Sequence, residues 1–290
     1  MPDAPAILLI GPDGMLGRAW AALLDVHGLV FDAAVYPDFD LTDPASVEQA
    51  IQTNHRLVIN CAAWTDVDGA EAREEAAAAV NATGAGHLAR RCEDVGAKLI
   101  HYSTDYVFPG NSDAPYRPEQ PREPLGAYGR TKAAGEALIE QHATDYLIIR
   151  TSWLYAPWGN NFVLTMLRLT AEKDQLKVVH DQRGRPTSAE HLAASSLGLI
   201  EQGARGIYHV TDGGECTWYE LTREIARQAG HACDVQPCTT AEFPRPAPRP
   251  AYSVLDLSKT EDLLGPMPPW PENLRAVLEN HQGTKGTRGG

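Results

Sequence analysis

Positive charge is scarce in this chain: 25 Lys and Arg stand against 38 Asp and Glu over 290 residues, a net charge of −13 and a pI near 5.2. Such a surface repels phosphate backbones and anionic headgroups, which sets nucleic acid and membrane surfaces aside as partners. Long apolar runs are missing as well. The N-terminal stretch at 6–10 is too short for a signal core or a membrane span and has no basic residue ahead of it, so a cytoplasmic protein is expected. The five cysteines, Cys61, Cys92, Cys216, Cys233 and Cys238, are odd in number and form no CxxC pair. That excludes an obvious disulfide framework or zinc site and reads as reduced thiols. No fixed-period repeat appears. At 43% hydrophobic and 22% charged residues the composition is ordinary for a globular protein, and the length suits about two domains or one large α/β unit.

Short β-branched runs alternate with helical stretches, as βαβ units do. Strands are expected at 6–10, 29–35, 56–60, 98–104, 146–151 and 206–210, and helices at 14–27, 43–53, 68–95, 128–142 and 188–202. The fold class is therefore α/β, a doubly wound parallel sheet covered on both faces. Two segments break the alternation: 108–127, rich in Pro, Gly and charge, and 236–250, too Pro-dense for a helix or a central strand. Both read as loops that carry something, and 281–290 reads as a mobile tail.

The first chemical signal is Gly11-Pro-Asp-Gly14-Met15-Leu16-Gly17, directly after an apolar strand and opening a helix. A glycine turn there lets backbone N–H groups and a helix N-terminus approach a pyrophosphate. A tight turn with no ligand is the bland alternative. About twenty residues on, Asp32 is placed to accept hydrogen bonds from an adenosine ribose, which favours NAD. Arg18, just after the last glycine, could instead meet a 2′-phosphate and favour NADP, or be a plain surface arginine.

The second signal is Tyr128-Gly-Arg-Thr-Lys132 at the head of a helical run. Four residues are about one helical turn, so phenol and ammonium share a face, and the positive charge is expected to lower the phenol's pKa and make it a usable general acid. Upstream, Ser103-Thr104-Asp105-Tyr106 ends a strand, where α/β folds bind ligands.

Taken together these motifs resemble the dTDP-4-dehydrorhamnose reductase family of the extended short-chain dehydrogenase/reductase superfamily. The resemblance rests on GPDGMLG at 11–17, NCAAWTDVDGAE at 60–71, HYSTDYVFPG at 101–110, YGRTK at 128–132, RTSWLYAPWGNNFVLTML at 150–167, DQRGRPTSAEHLA at 181–193 and RPAYSVLDLSK at 249–259. It implies a Rossmann domain over 1–152, rejoined near 185–212, and a substrate-binding domain over 153–280. It further implies that Thr104, Tyr128 and Lys132 are catalytic. Gly11, Gly14, Met15, Leu16, Gly17, Asp32, Asp40, Leu41, Asn60, Ala62, Ala63, Trp64 and Tyr102, with Tyr128 and Lys132, would contact NADPH or NADH. Asp40 and Leu41 would flank the adenine, and Asn60, Ala62 and Ala63 the nicotinamide ribose. Val67, Thr104, Asp105 and Trp153 would hold a dTDP-sugar, with Trp153 a flat wall for its ring or else a core residue. Arg185, Arg245 and Arg249 are candidates for the diphosphate or are solvated loop arginines.

Departures carry information too. Trp64 stands where the family pattern has a smaller polar residue, which would alter the nicotinamide-side wall. Some relatives form a homodimer through a magnesium held by acidic groups; Glu190 matches, but Ala19 and Trp20 replace an acid, so no metal site is expected. Two other functions compete: a sugar-nucleotide dehydratase or epimerase, and a non-catalytic nucleotide-binding subunit resembling the regulatory subunit of methionine adenosyltransferase. A dehydratase needs an Asp-Glu pair after the threonine, where this chain has Asp105-Tyr106.

Overall fold

The computed structural model describes residues 6–286. Six strands, β1 (Ile7–Ile10), β2 (Phe31–Ala34), β3 (Leu57–Asn60), β4 (Lys98–Thr104), β5 (Tyr146–Thr151) and β6 (Gly206–His209), form one sheet in the order β6-β5-β4-β3-β1-β2, every neighbouring pair parallel. All six fall within the stretches that the alternation of the sequence predicts. Successive side chains of a strand point to opposite faces. Leu9, Ile59, Ile100 and Ile149 accordingly pack beneath Leu16, Trp20 and Leu24 of the helix Met15–Val26 and Leu192 and Leu199 of Ala189–Glu201. Leu8, Ile10, Val58, Leu99 and Ile148 face the other way, against Leu88, Cys92 and Ile139. The chain leaves β1 toward one edge and returns past it to β3, which makes the gap between β1 and β3 the topological switch point where α/β folds place ligands.

The expected single helix over 68–95 is three pieces with a π-helical turn inside: Val67–Ala72, Glu74–Ala78, the turn Ala79–Gly84 and then Ala85–Val95. Its alanines favour a helix but do not control its winding. Asn81 turns inward, accepts from the Trp64 N–H (2.9 Å) and donates to the Trp64 carbonyl (3.1 Å) and Thr131 Oγ1 (3.1 Å), bonds that a regular helix would not aim correctly.

The Pro-dense segment is corrected as well. Asp234–Cys238 is a strand pairing in parallel with Gln175–Val179, Pro237 lying in register with Val178. A two-stranded sheet leaves each strand one free edge, and there a proline needs no ladder partner. The helices Phe162–Glu172, Trp218–Ala229, Ser258–Leu264 and Trp270–Gly286 add to those predicted. Several of them close a separate small core around Tyr155, Val163, Leu221, Ile225, Leu274 and Val277. The last helix continues into the segment read as a tail, so helix replaces mobile chain up to Gly286, and 287–290 lie outside the described residues. Among the described residues no helix is long and apolar enough to cross a membrane, and no group of three or more His, Cys, Asp or Glu is placed to hold a metal ion.

Candidate active site

The glycine turn sits at the carboxyl end of β1. Gly11 has φ +72°, a left-handed conformation that glycine adopts without strain, and its N–H donates to the Ala34 carbonyl at 3.0 Å. Gly14 caps the helix Met15–Val26 with no side chain, so the first-turn N–H groups face the crevice without a competing cap. A Cβ on Gly17 would stand 2.0 Å from the Gly11 carbonyl oxygen, so only glycine lets helix and turn pack this closely. These residues fit a dinucleotide's pyrophosphate. Leu16 is buried in the core, and the Met15 carbonyl accepts from Trp158 Nε1 at 3.1 Å, tying the turn to the C-terminal half.

Three expected cofactor contacts are placed differently. Asp32 is in register with Leu8, about 7 Å short of the strand's carboxyl end, and its Oδ2 lies 3.0 Å from Nε2 of the buried His55. His55 Nδ1 accepts from the Gln52 N–H, so Nε2 carries the ring proton and donates to Asp32. That half-exposed carboxylate therefore has one oxygen already engaged by a protein partner. Arg18 lies over the Trp158 ring, its guanidinium carbon 4.9 Å from the ring centre, which gives it a partner the sequence does not reveal. Tyr102 is buried, its hydroxyl accepting from Trp20 Nε1 (2.7 Å) and donating to Ser196 (2.8 Å), so only its backbone reaches the site. The Asp40 carboxylate accepts from the Thr42 N–H and hydroxyl, both at 2.8 Å, which hold it below the usual carboxylate range. Leu41 is buried beneath Gly84.

Across the switch point, Asn60 is buried and accepts from the Ala62 N–H at 3.0 Å, fixing the turn that runs through Ala63 to Trp64. The Arg73 guanidinium covers the Trp64 ring at 4.6 Å. The helix Ala127–His142 presents Tyr128 and Lys132. Its N-cap Gly126 has no side chain, and Glu71 caps it from a neighbouring helix by accepting from the Ala127 N–H at 2.8 Å. Thr104 donates to Asp105 Oδ1 at 3.0 Å and also bonds to Tyr128. Burial pushes the Asp105 carboxyl up to about 6 against hydrogen bonds from Ser253 and Thr104, and its Oδ2 has no partner among the described residues.

The expected lowering of the Tyr128 phenol is reversed. Burial first, and then the Asp105 charge, push it up to about 12. The reason is geometric: Lys132 Nζ lies 2.6 Å from the Tyr102 carbonyl oxygen and 3.1 Å from His101 Nε2, turned inward beneath the sheet's end.

Beside Tyr106 lies a cavity of about 790 Å³ between Phe162, Met166, Trp218, Phe243, Arg245 and Arg249. Trp153 takes φ +48° and stacks on Trp218 with ring centres 3.5 Å apart, while a Cβ on Gly184 would meet the Trp153 ring at 2.6 Å. Trp153 is packed between neighbours rather than standing as an open wall, and Trp218 and Phe162 offer aromatic surface that sequence reasoning missed. Thr217-Trp-Tyr-Glu220, a capping box opening the Trp218 helix, was the available signal. Val67 opens the helix that Asp66 caps. The next residue, Asp68, binds Arg249 Nη2 at 2.9 Å and lies 3.9 Å from Arg245, while Arg249 Nη1 and Arg185 Nε are buried without partners among the described residues.

The family model for the RmlD substrate binding domain matches residues 5–282. A dTDP-4-dehydrorhamnose reductase from Streptomyces griseus is 46% identical over 264 residues, 88% of this chain and 86% of that protein. Two solved structures superpose with a TM-score of 0.91. One, a dTDP-4-dehydrorhamnose reductase from Clostridium acetobutylicum, is 40% identical and covers 95% of this chain and 99% of its own. The other, from Bacillus anthracis in complex with NADP, is 36% identical and covers 94% and 98%.

Proposed function

We propose, because this chain belongs to the RmlD substrate binding domain family, that it reduces the 4-keto group of dTDP-4-dehydro-6-deoxy-L-mannose to give dTDP-L-rhamnose, a precursor of cell-surface polysaccharide, with NADPH or NADH. The observation that carries the reading is the meeting of Thr104, Tyr128 and Asp105 at the carboxyl end of β4, where Tyr106, edge-on to Tyr128, lines a cavity together with Arg245 and Arg249.

When bound, the nicotinamide supplies the hydride. Tyr128, still protonated at neutral pH, is the proton donor to the C4 oxygen, and Thr104, turning its one proton away from Asp105, donates a hydrogen bond to the same oxygen as charge develops. The buried Asp105 accepts from a sugar hydroxyl, which would satisfy its lone oxygen. Arg249, with one nitrogen on Asp68 and another unspent, fits a diphosphate oxygen. The dehydratase reading is disfavoured by a specific contact: the residue after Asp105 is Tyr106, packed edge-on to Tyr128 at 5.7 Å, where a second carboxylate would be needed.

The test is stoichiometric oxidation of NADPH or NADH by the purified protein with dTDP-4-dehydrorhamnose, the product identified by NMR. Absence of cofactor oxidation would sink the reading.

A further inference from the structure

Three buried side chains and one part-buried amide form a chain across β3, β4 and the catalytic helix: Ala62 N–H to Asn60 Oδ1 (3.0 Å), Asn60 Nδ2 to His101 Nδ1 (3.1 Å), and His101 Nε2 to Lys132 Nζ (3.1 Å). The donor inventory of this chain is over-determined. Ala62 has only an N–H to give, so Asn60 must present its oxygen there and its NH₂ to the imidazole. His101 Nδ1 must therefore accept, and a neutral ring then carries its proton on Nε2, pointing at Lys132. An ammonium has no lone pair to receive it. An amine does, and can still donate to the Tyr102 carbonyl 2.6 Å away.

We propose that, in mildly alkaline solution, His101, oriented by Asn60, docks Lys132 as a neutral amine before the cofactor binds, and that Lys132 leaves the imidazole for the nicotinamide ribose with uptake of a proton from solvent, so that cofactor binding assembles the Tyr128–Lys132 pair. His101 is a positioning residue in this scheme.

The surroundings agree. Burial holds His101 well below its usual range, with the lysine's charge adding to the effect, and pulls Lys132 down to about 8. Glu136, on the lysine's own helix, acts in the opposite sense but is itself committed to Arg150 (2.7 Å) and Arg122 (3.1 Å). From the other elements packed there, β4 offers the Tyr102 carbonyl and the imidazole, and the π-helical turn offers Asn81, whose amide is spent on Thr131 and Trp64. The high Tyr128 value is what a lysine parked elsewhere leaves behind.

The inference rests on the reductase reading for its ligand, and the test separates the two. NADH, which lacks a titrating 2′-phosphate, is titrated calorimetrically into the full-length protein at about pH 8.5 in buffers of differing ionisation enthalpy. At that pH Asp105 is ionised and Tyr128 protonated, so Lys132 is the reporter, and roughly three-quarters of a proton should be taken up per NADH. Asn60→Asp presents an oxygen to His101 Nδ1, moves the ring proton there and lets Nε2 accept from an ammonium; uptake should fall to near zero. Binding without buffer-dependent heat, or unchanged uptake in Asn60→Asp, overturns the inference alone. The ¹⁵N spectrum of His101 in the cofactor-free parent decides it independently of folding in the variant or of NADH binding: a proton on Nε2 supports the scheme, and one on Nδ1 ends it.

Discussion

At the scale of single residues, the two acids of the site are set in opposite states by one environment. Tyr128, raised to about 12 by burial and by Asp105, keeps its proton at neutral pH. Tyr128→Phe should lose about two to four orders of magnitude in kcat while cofactor binding, measured by calorimetry, is nearly kept. Asp105 is raised to about 6 from an ordinary carboxyl value of 3.8. As pH rises, an unfolded chain releases this proton first, so between about pH 4 and 6 the folded state binds more protons and stability falls, then stays flat above. Asp105→Asn removes that cost. Its stability relative to the parent should grow across the same window to roughly 3 kcal/mol at neutral pH, with weaker sugar-nucleotide binding. Denaturant titrations at several pH values read the difference, and a constant offset would show that Asp105 does not titrate in this range.

Among the elements, the π-helical turn matters because the catalytic helix is seated on it. Gly135 of that helix packs against the Asn81 carbonyl, to which an added Cβ would approach within 2.1 Å. Gly135→Ala should therefore cost about 2 kcal/mol or more in stability, and lower kcat beyond what the stability loss explains, by shifting Tyr128 relative to Thr104. Parent-like unfolding curves would mean that the helix slides at no cost. The alanine-rich stretch around Asn81 was legible as helix but not as a broken one. Its winding is decided by bonds to Trp64 and Thr131, partners distant in sequence.

For the whole molecule, the site exists only where two parts meet. Asp68, in the N-terminal half, holds Arg249 and the Ala247 N–H (3.2 Å) of the Pro-dense segment, and Trp158 reaches back to Met15. Arg249 thus does two jobs, and a lysine, with one point charge, cannot hold Asp68 and a second anion in the same fork geometry. Arg249→Ala should raise KM for the sugar nucleotide tenfold or more, Arg249→Lys should not restore it, and KM for NADPH should stay within about twofold in steady-state kinetics. Equal effects on both ligands would place Arg249 in general stability instead.

The amino-acid sequence by itself determined the parallel sheet, because βαβ periodicity is local: a run such as KLIHYST is a strand wherever it packs. It also determined the glycine turn and the YGRTK helix, since a left-handed Gly11 and a four-residue spacing are properties of neighbouring residues. What only the tertiary structure decided is where side chains point once other segments compete for them. Asp32 is claimed by His55, Arg18 by Trp158, Trp153 by Trp218, and Lys132 by His101. Each partner is supplied by another segment of the chain: for the buried Lys132 and the packed Trp153 ring, burial makes an unpaired group or an uncovered ring costly, whereas the exposed Asp32 and Arg18 take the neighbour that the fold brings within reach.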